Sequence, residues 1–250
     1  MRKYVVLALG IAILGAFAAP ARAQETPLPE ATVIVDGVSY SLDVLRDGKL
    51  FIIDQARIVT QGGDIVEVAM TGDPDPSIAY AIGVVDIGLP SAFGFAFGIP
   101  IVCPEPATIV SSSIGYTLTD AGDGAVSLTP LPPPGFVPVD GDLATETAVG
   151  TLSPDGGFTL VNMGVDVGLA AAAGGGTTVH GPFAAGPMAG PAGPFDSLFA
   201  DINFLGSGGG DALSLTGALT VVCVPEPGSL ATLGVGLVAL GVLAYRRRKP

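Results

Sequence analysis

The stretch that most restricts the fold runs from Phe93 to Cys103. Phe93, Phe95, Phe97, Ile99, Ile101 and Cys103 alternate there with Gly94, Ala96, Gly98 and Pro100. A period of two places the first set on one face of a β-strand and the second set on the other. Stacked aromatics opposite near-absent side chains describe a core strand whose back is tightly covered or lies at an edge. The same period recurs in Val66, Val68 and Met70 against Ile65, Glu67 and Ala69. It recurs again in Leu213, Leu215, Leu219, Val221 and Cys223 against Ser214, Thr216 and Thr220. With 37 Gly, 22 Pro and no Trp, the composition suits short strands joined by tight turns rather than helices. The expected fold is all-β, a sandwich of jelly-roll-like or Greek-key type.

Turn chemistry divides the rest of the chain. Asp36-Gly37 and Asp47-Gly48 lie between β-rich runs and signal hairpins within 32–53. Further strands are expected at 58–60, 64–71, 78–87, 108–119, 125–129, 148–152, 158–169 and 212–223, with a turn at Asp73-Pro-Asp-Pro76. The proline-rich stretch 130–142 suits a long loop or a domain boundary equally. Ala170–Ala173 reads as a short helix stopped by Gly174–Gly176. In 181–194 the glycines at 181, 186, 190 and 193 break the three-residue period of collagen, so the stretch is expected to be a flexible surface loop.

Both termini carry addressing signals. Arg2 and Lys3 precede an apolar run, and Ala21-Arg22-Ala23 has the small-x-small form cut by signal peptidase, so 1–23 is expected to be a signal peptide. Residues 24–223 would form the exported domain and 224–250 a tail. From Gly228 to Tyr245 no residue is charged, and as a helix the run would nearly match the hydrocarbon thickness of a bilayer, about 30 Å. Arg246, Arg247, Arg248 and Lys249 follow and act as a membrane stop, holding the C-terminus on the cytoplasmic side. Just before the run stands Val224-Pro225-Glu226-Pro227-Gly228, whose prolines favour an extended backbone.

Pro225, Glu226 and Pro227, an apolar span and a terminal Arg-rich cluster, in that order, resemble the PEP-CTERM sorting signal. The resemblance implies recognition by an exosortase and removal of the tail during export. The protein would then sit in the inner membrane with a periplasmic domain before processing. Afterwards it would reach the cell surface or extracellular matrix of a Gram-negative bacterium. Pro104-Glu105-Pro106 repeats the letters with no apolar span behind it and reads as a loop. Cargo domains of this class also look loosely like the region around Asp73–Ser77.

Between Gln24 and Pro227 only Arg46, Lys49 and Arg57 are cationic, against 23 Asp and Glu, a formal charge of −20 for the exported part. Such a surface repels nucleic acid. Cys103 and Cys223 each end an alternating strand on its apolar face, and in an exported chain they are expected to form a disulfide. His180 is the single histidine, set in a Gly-rich stretch with no nucleophile elbow, and is expected to be a solvated loop residue. Calcium is the one cofactor with support: Asp73 with Asp75, Asp120 with Asp123 and Asp140 with Asp142 put hard oxygens on turns, though none matches the EF-hand loop. These observations lead to a non-enzymatic structural or adhesive protein of the envelope or exopolysaccharide matrix. A calcium- or polysaccharide-binding surface module is the alternative.

Overall fold

The computed structural model describes residues 29–103, 107–122, 124–131, 147–152, 158–162, 170–173, 175–190 and 195–224. Every regular element among them is a strand, and every pairing is antiparallel. In chain order these are β1 (Glu30–Val35), β2 (Val38–Ser41), β3 (Leu45–Asp47), β4 (Leu50–Val59), β5 (Ile65–Asp73), β6 (Ser77–Asp86), β7 (Ala92–Cys103) and β8 (Ala107–Thr119). They continue with β9 (Ala125–Pro130), β10 (Thr147–Leu152), β11 (Phe158–Asn162), β12 (Ala170–Ala173), β13 (Thr177–Ala189), β14 (Phe195–Leu205) and β15 (Asp211–Val224). One sheet runs β11-β10-β14-β7-β1-β2, with β9 joined to β14 and β12 to β9; the other runs β13-β8-β15-β6-β5-β4-β3.

The buried residues of both sheets form a single core. Phe93, Phe95, Phe97, Ile99, Leu198, Ile202 and Phe204 enter it from the first sheet, and Val66, Val68, Ile78, Ile82, Leu118, Leu215 and Leu219 from the second. Burying a side chain of this size contributes about 1.5–3 kcal/mol, so the period-two rows of the sequence are the rows that hold the sheets together. The aromatic rings cluster: Phe95 and Phe204 stack with centroids 5.9 Å apart, and Tyr80 meets Phe97 across the core at 5.8 Å.

β7 lies between β14 and β1, so of the two expected alternatives its glycine face is the covered one and not an edge. A Cβ on Gly98 would stand 2.7 Å from Phe199 Cε1, and one on Gly94 the same distance from Asn203 Oδ1. The hairpin turns also hold. Asp36 (φ 50°) and Gly37 (φ 80°) both occupy the left-handed region that a tight two-residue turn between twisted strands requires.

Three expectations fail. Ala170–Ala173 is not a helix but strand β12, paired with Ala125–Leu128 of β9. Four alanines carry helix propensity, yet pairing with a neighbouring strand overrides so short a run. Residues 181–189 are not a loop but most of β13, an edge strand along β8. Its register shifts between His180 and Phe183 and between Ala185 and Met188, so Pro182 and Pro187 fall at irregularities of an edge strand, where proline is tolerated. β14, central in its sheet, is the third: no strand was expected over Phe195–Leu205. The signal segment 1–23, the stretch 132–142 and the tail from Pro225 lie outside the described residues.

Candidate functional site

Strand register gives the molecule two distinct ends. Asp211 pairs with Asp86 at one end of β15, and Thr220 pairs with Ser77 toward the other. Cys223 follows on β15, and a disulfide links it to Cys103 at the end of β7, with Cα atoms 5.6 Å apart. The bond joins the two sheets at the end where the chain leaves β15. Cys103 is fully buried and Cys223 packs against the core. Asp73 and Asp75 lie at this exit end, where Asp73 Oδ1 accepts the Asp75 amide at 3.0 Å and closes the turn after β5.

The far end is built on buried carboxylates. Asp64 accepts the Ile87 amide at 2.8 Å, the Thr60 hydroxyl at 3.1 Å and the Ser91 hydroxyl at 3.3 Å. Asp86 Oδ2 accepts the amides of Gly208 at 2.8 Å and Ser91 at 3.3 Å, while its Oδ1 makes no hydrogen bond among the described residues. Desolvation raises the Asp86 pKa, and the neighbouring Asp64 charge adds to it against the two amides. Asp211 accepts the Ala121 amide at 3.0 Å and the Ser207 hydroxyl at 2.5 Å. Asp120 accepts the amides of Gly122 and Gly175. These groups tie loops to strands, and among the described residues no three His, Cys, Asp or Glu gather as a metal-binding set. Asp123, Asp140 and Asp142 lie outside the described residues.

His180 is not a solvated loop residue. It is half-buried on β13 with its ring stacked on Tyr116, centroids 5.0 Å apart, and its Nε2 is buried without a hydrogen-bond partner among the described residues. Tyr116 is fully buried in turn and also contacts Phe183, at 6.0 Å. The edge strand is thus fastened to the sheet by ring packing, a signal that one His among glycines does not reveal.

The outer surface of the second sheet holds a groove of about 500 Å³ across β13, β8 and β15. Its floor is made of small side chains: Ser113, Gly115 and Thr117 from β8, and Ser214, Thr216 and Ala218 from β15. One wall is β13. Where its register shifts after His180, Pro182 leans over β8, and a Cβ on Gly115 would lie 3.7 Å from Pro182 Cα. Val179 stands beside it, 72% exposed. No Asp, Glu, Lys or Arg lines the groove.

β15 ends at Val224, and there the comparison with known families begins: residues 224–249 match the PEP-CTERM protein-sorting motif. The chain carries a PEP-CTERM tail. The motif implies an exported protein of a Gram-negative bacterium, processed at the membrane by an exosortase. Its match contains Pro225, Glu226 and Pro227 together with Arg246–Lys249, and these residues, like Ala21 and Ala23, lie outside the described ones. No curated protein matches the chain. The PEP-CTERM tail therefore accounts for where the domain is sent, and the strands must be read for what it does there.

Proposed function

We propose that the protein is a non-catalytic structural or adhesive module of the cell envelope or extracellular matrix, a two-sheet sandwich delivered by its PEP-CTERM tail. The observation that carries this reading is the direct passage from β15 into the motif. The last core strand ends at Val224, where the matched residues begin, and the inter-sheet disulfide lies one residue before. A domain whose last core strand runs straight into its sorting signal keeps its C-terminal end, cut near Pro227 or not, close to its hydrogen-bonded core. The polar side chains support the same role, since the buried carboxylates hold loops in place.

Cell fractionation of the native host tests the proposal. The protein is expected in the surface or matrix fraction, and a deletion strain is expected to lose cohesion between cells or matrix integrity. Recovery of the protein in the cytoplasm, or an unaltered matrix in the deletion strain, would remove the reading.

A further inference from the structure

We infer that the groove across β13, β8 and β15 binds a segment of a neutral polysaccharide. The inference rests on the adhesive reading and supplies its ligand. Ser113, Thr117, Ser214 and Thr216 line the groove, and none of their hydroxyls bonds to another described residue. Each offers one donor and two acceptor lone pairs to a partner that is itself made of hydroxyls. Val179 and Pro182 form an apolar wall, matching the C–H face that a pyranose ring presents beside its hydroxyl edge. The groove spans three strands, about 10 Å at two strand spacings, and its floor runs along β8 from Ser113 to Thr117, about 13 Å. That is room for a short run of sugar units lying along the strands.

Charge selects the ligand further. The exported part carries 23 carboxylates and three cations, so an anionic glycan is repelled over the whole surface. A cationic ligand finds no carboxylate in the groove. A neutral polyol pays neither penalty. The binding surface is also preformed, because its hydroxyls stand on paired strands rather than on a loop, so little ordering entropy is lost on contact. Gly115 adds room to the floor beneath Pro182, although a Cβ there would meet Pro182 only at an ordinary contact distance of 3.7 Å.

Affinity electrophoresis of the full chain in mild detergent provides the test, with gels containing glucomannan, dextran or xylan and a polygalacturonate gel as the anionic control. Retardation is expected in at least one neutral gel and none with polygalacturonate. Ser214→Gln combined with Thr216→Gln places longer neutral side chains in the groove at exposed positions. It should weaken retardation about tenfold or more without moving the melting temperature. Gly115→Ala, whose methyl group fits at 3.7 Å, should weaken it less. Thr220→Gln, on the same face of β15 outside the groove, should leave it unchanged. Free migration in all three neutral gels, equal retardation by polygalacturonate, or an unaffected double variant would each overturn the inference. The adhesive reading fails separately, on the fractionation of the wild-type protein.

Discussion

Asp201 stands on the outward face of β14 between Phe199 and Asn203, and its Oδ1 accepts the Asn203 side-chain amide at 2.7 Å. Desolvation pushes its carboxyl up to about 6 from 3.8, only partly opposed by that hydrogen bond. A raised carboxyl binds its proton more tightly in the folded state. Its contribution to stability is therefore complete below about pH 4 and is lost as pH rises through about 6. Asp201→Asn keeps the acceptor and removes the titration. The variant should match the wild type near pH 4 and exceed it at pH 7 by about 1 kcal/mol, the full shift being discounted for the side chain's partial exposure. Urea unfolding at the two pH values measures the gap, and a gap that does not widen would refute the assignment. Gly217 offers a second residue-scale test. A Cβ there would lie 2.1 Å from the Tyr80 hydroxyl oxygen and 2.2 Å from its Cζ, and Tyr80 is buried and cannot swing away. Gly217→Ala should cost about 1–3 kcal/mol by overpacking, whereas Thr216→Ala beside it, exposed on the outer face, should cost little. Sequence shows Gly217 only as a gap in the Leu215–Leu219–Val221 row; the ring that fills the gap comes from another strand.

Among elements, the strands legible in the sequence are those whose two faces see different surroundings. β5, β7 and β15 alternate because one face enters the core, and the large buried side chains are the ones the alternation marks. β14 obeys the same rule through Leu198, Ala200, Ile202 and Phe204, but Phe199 on its outward face blurs the pattern. That ring is outward because it lies against Gly98, a partner 101 positions away that no local window contains. β13 was illegible for a different reason. Its Gly and Pro content carries a loop's composition, and only pairing along β8 makes it a strand. The cysteine pair was legible because both residues end core-facing rows, and the bond closes a loop with a sequence separation of 120. Constraining so long a loop in the unfolded chain stabilises by about 2–5 kcal/mol. Cys103→Ala with Cys223→Ala should lower the urea midpoint accordingly, and reduction of the wild type should reproduce the shift. Identical midpoints for oxidised and reduced protein would show that the bond adds nothing.

For the whole molecule, the order of sequence parts becomes an order in space. β15 spans from the carboxylate end to the disulfide end and stops at Val224, so the tail emerges beside the Cys103–Cys223 bond and the Asp86–Asp211 end points away from it. On the reading of 228–245 as a membrane span, the disulfide end is the end nearest that span in sequence. Recognition of Glu226 would need that short segment to be reachable beside the domain, and prolines on both sides favour an extended backbone there. If the motif is read chemically, Glu226→Ala should leave the domain folded and membrane-bound while blocking maturation. If it is only a spacer, the substitution should change nothing. Intact mass of the protein from its native host separates the cases. Wild-type mass ending near Pro227, with Glu226→Ala running to Pro250, is the expected pair. A wild-type mass extending to Pro250 would make Gly228–Tyr245 a permanent anchor, and the adhesive module would then act while still tethered to its membrane.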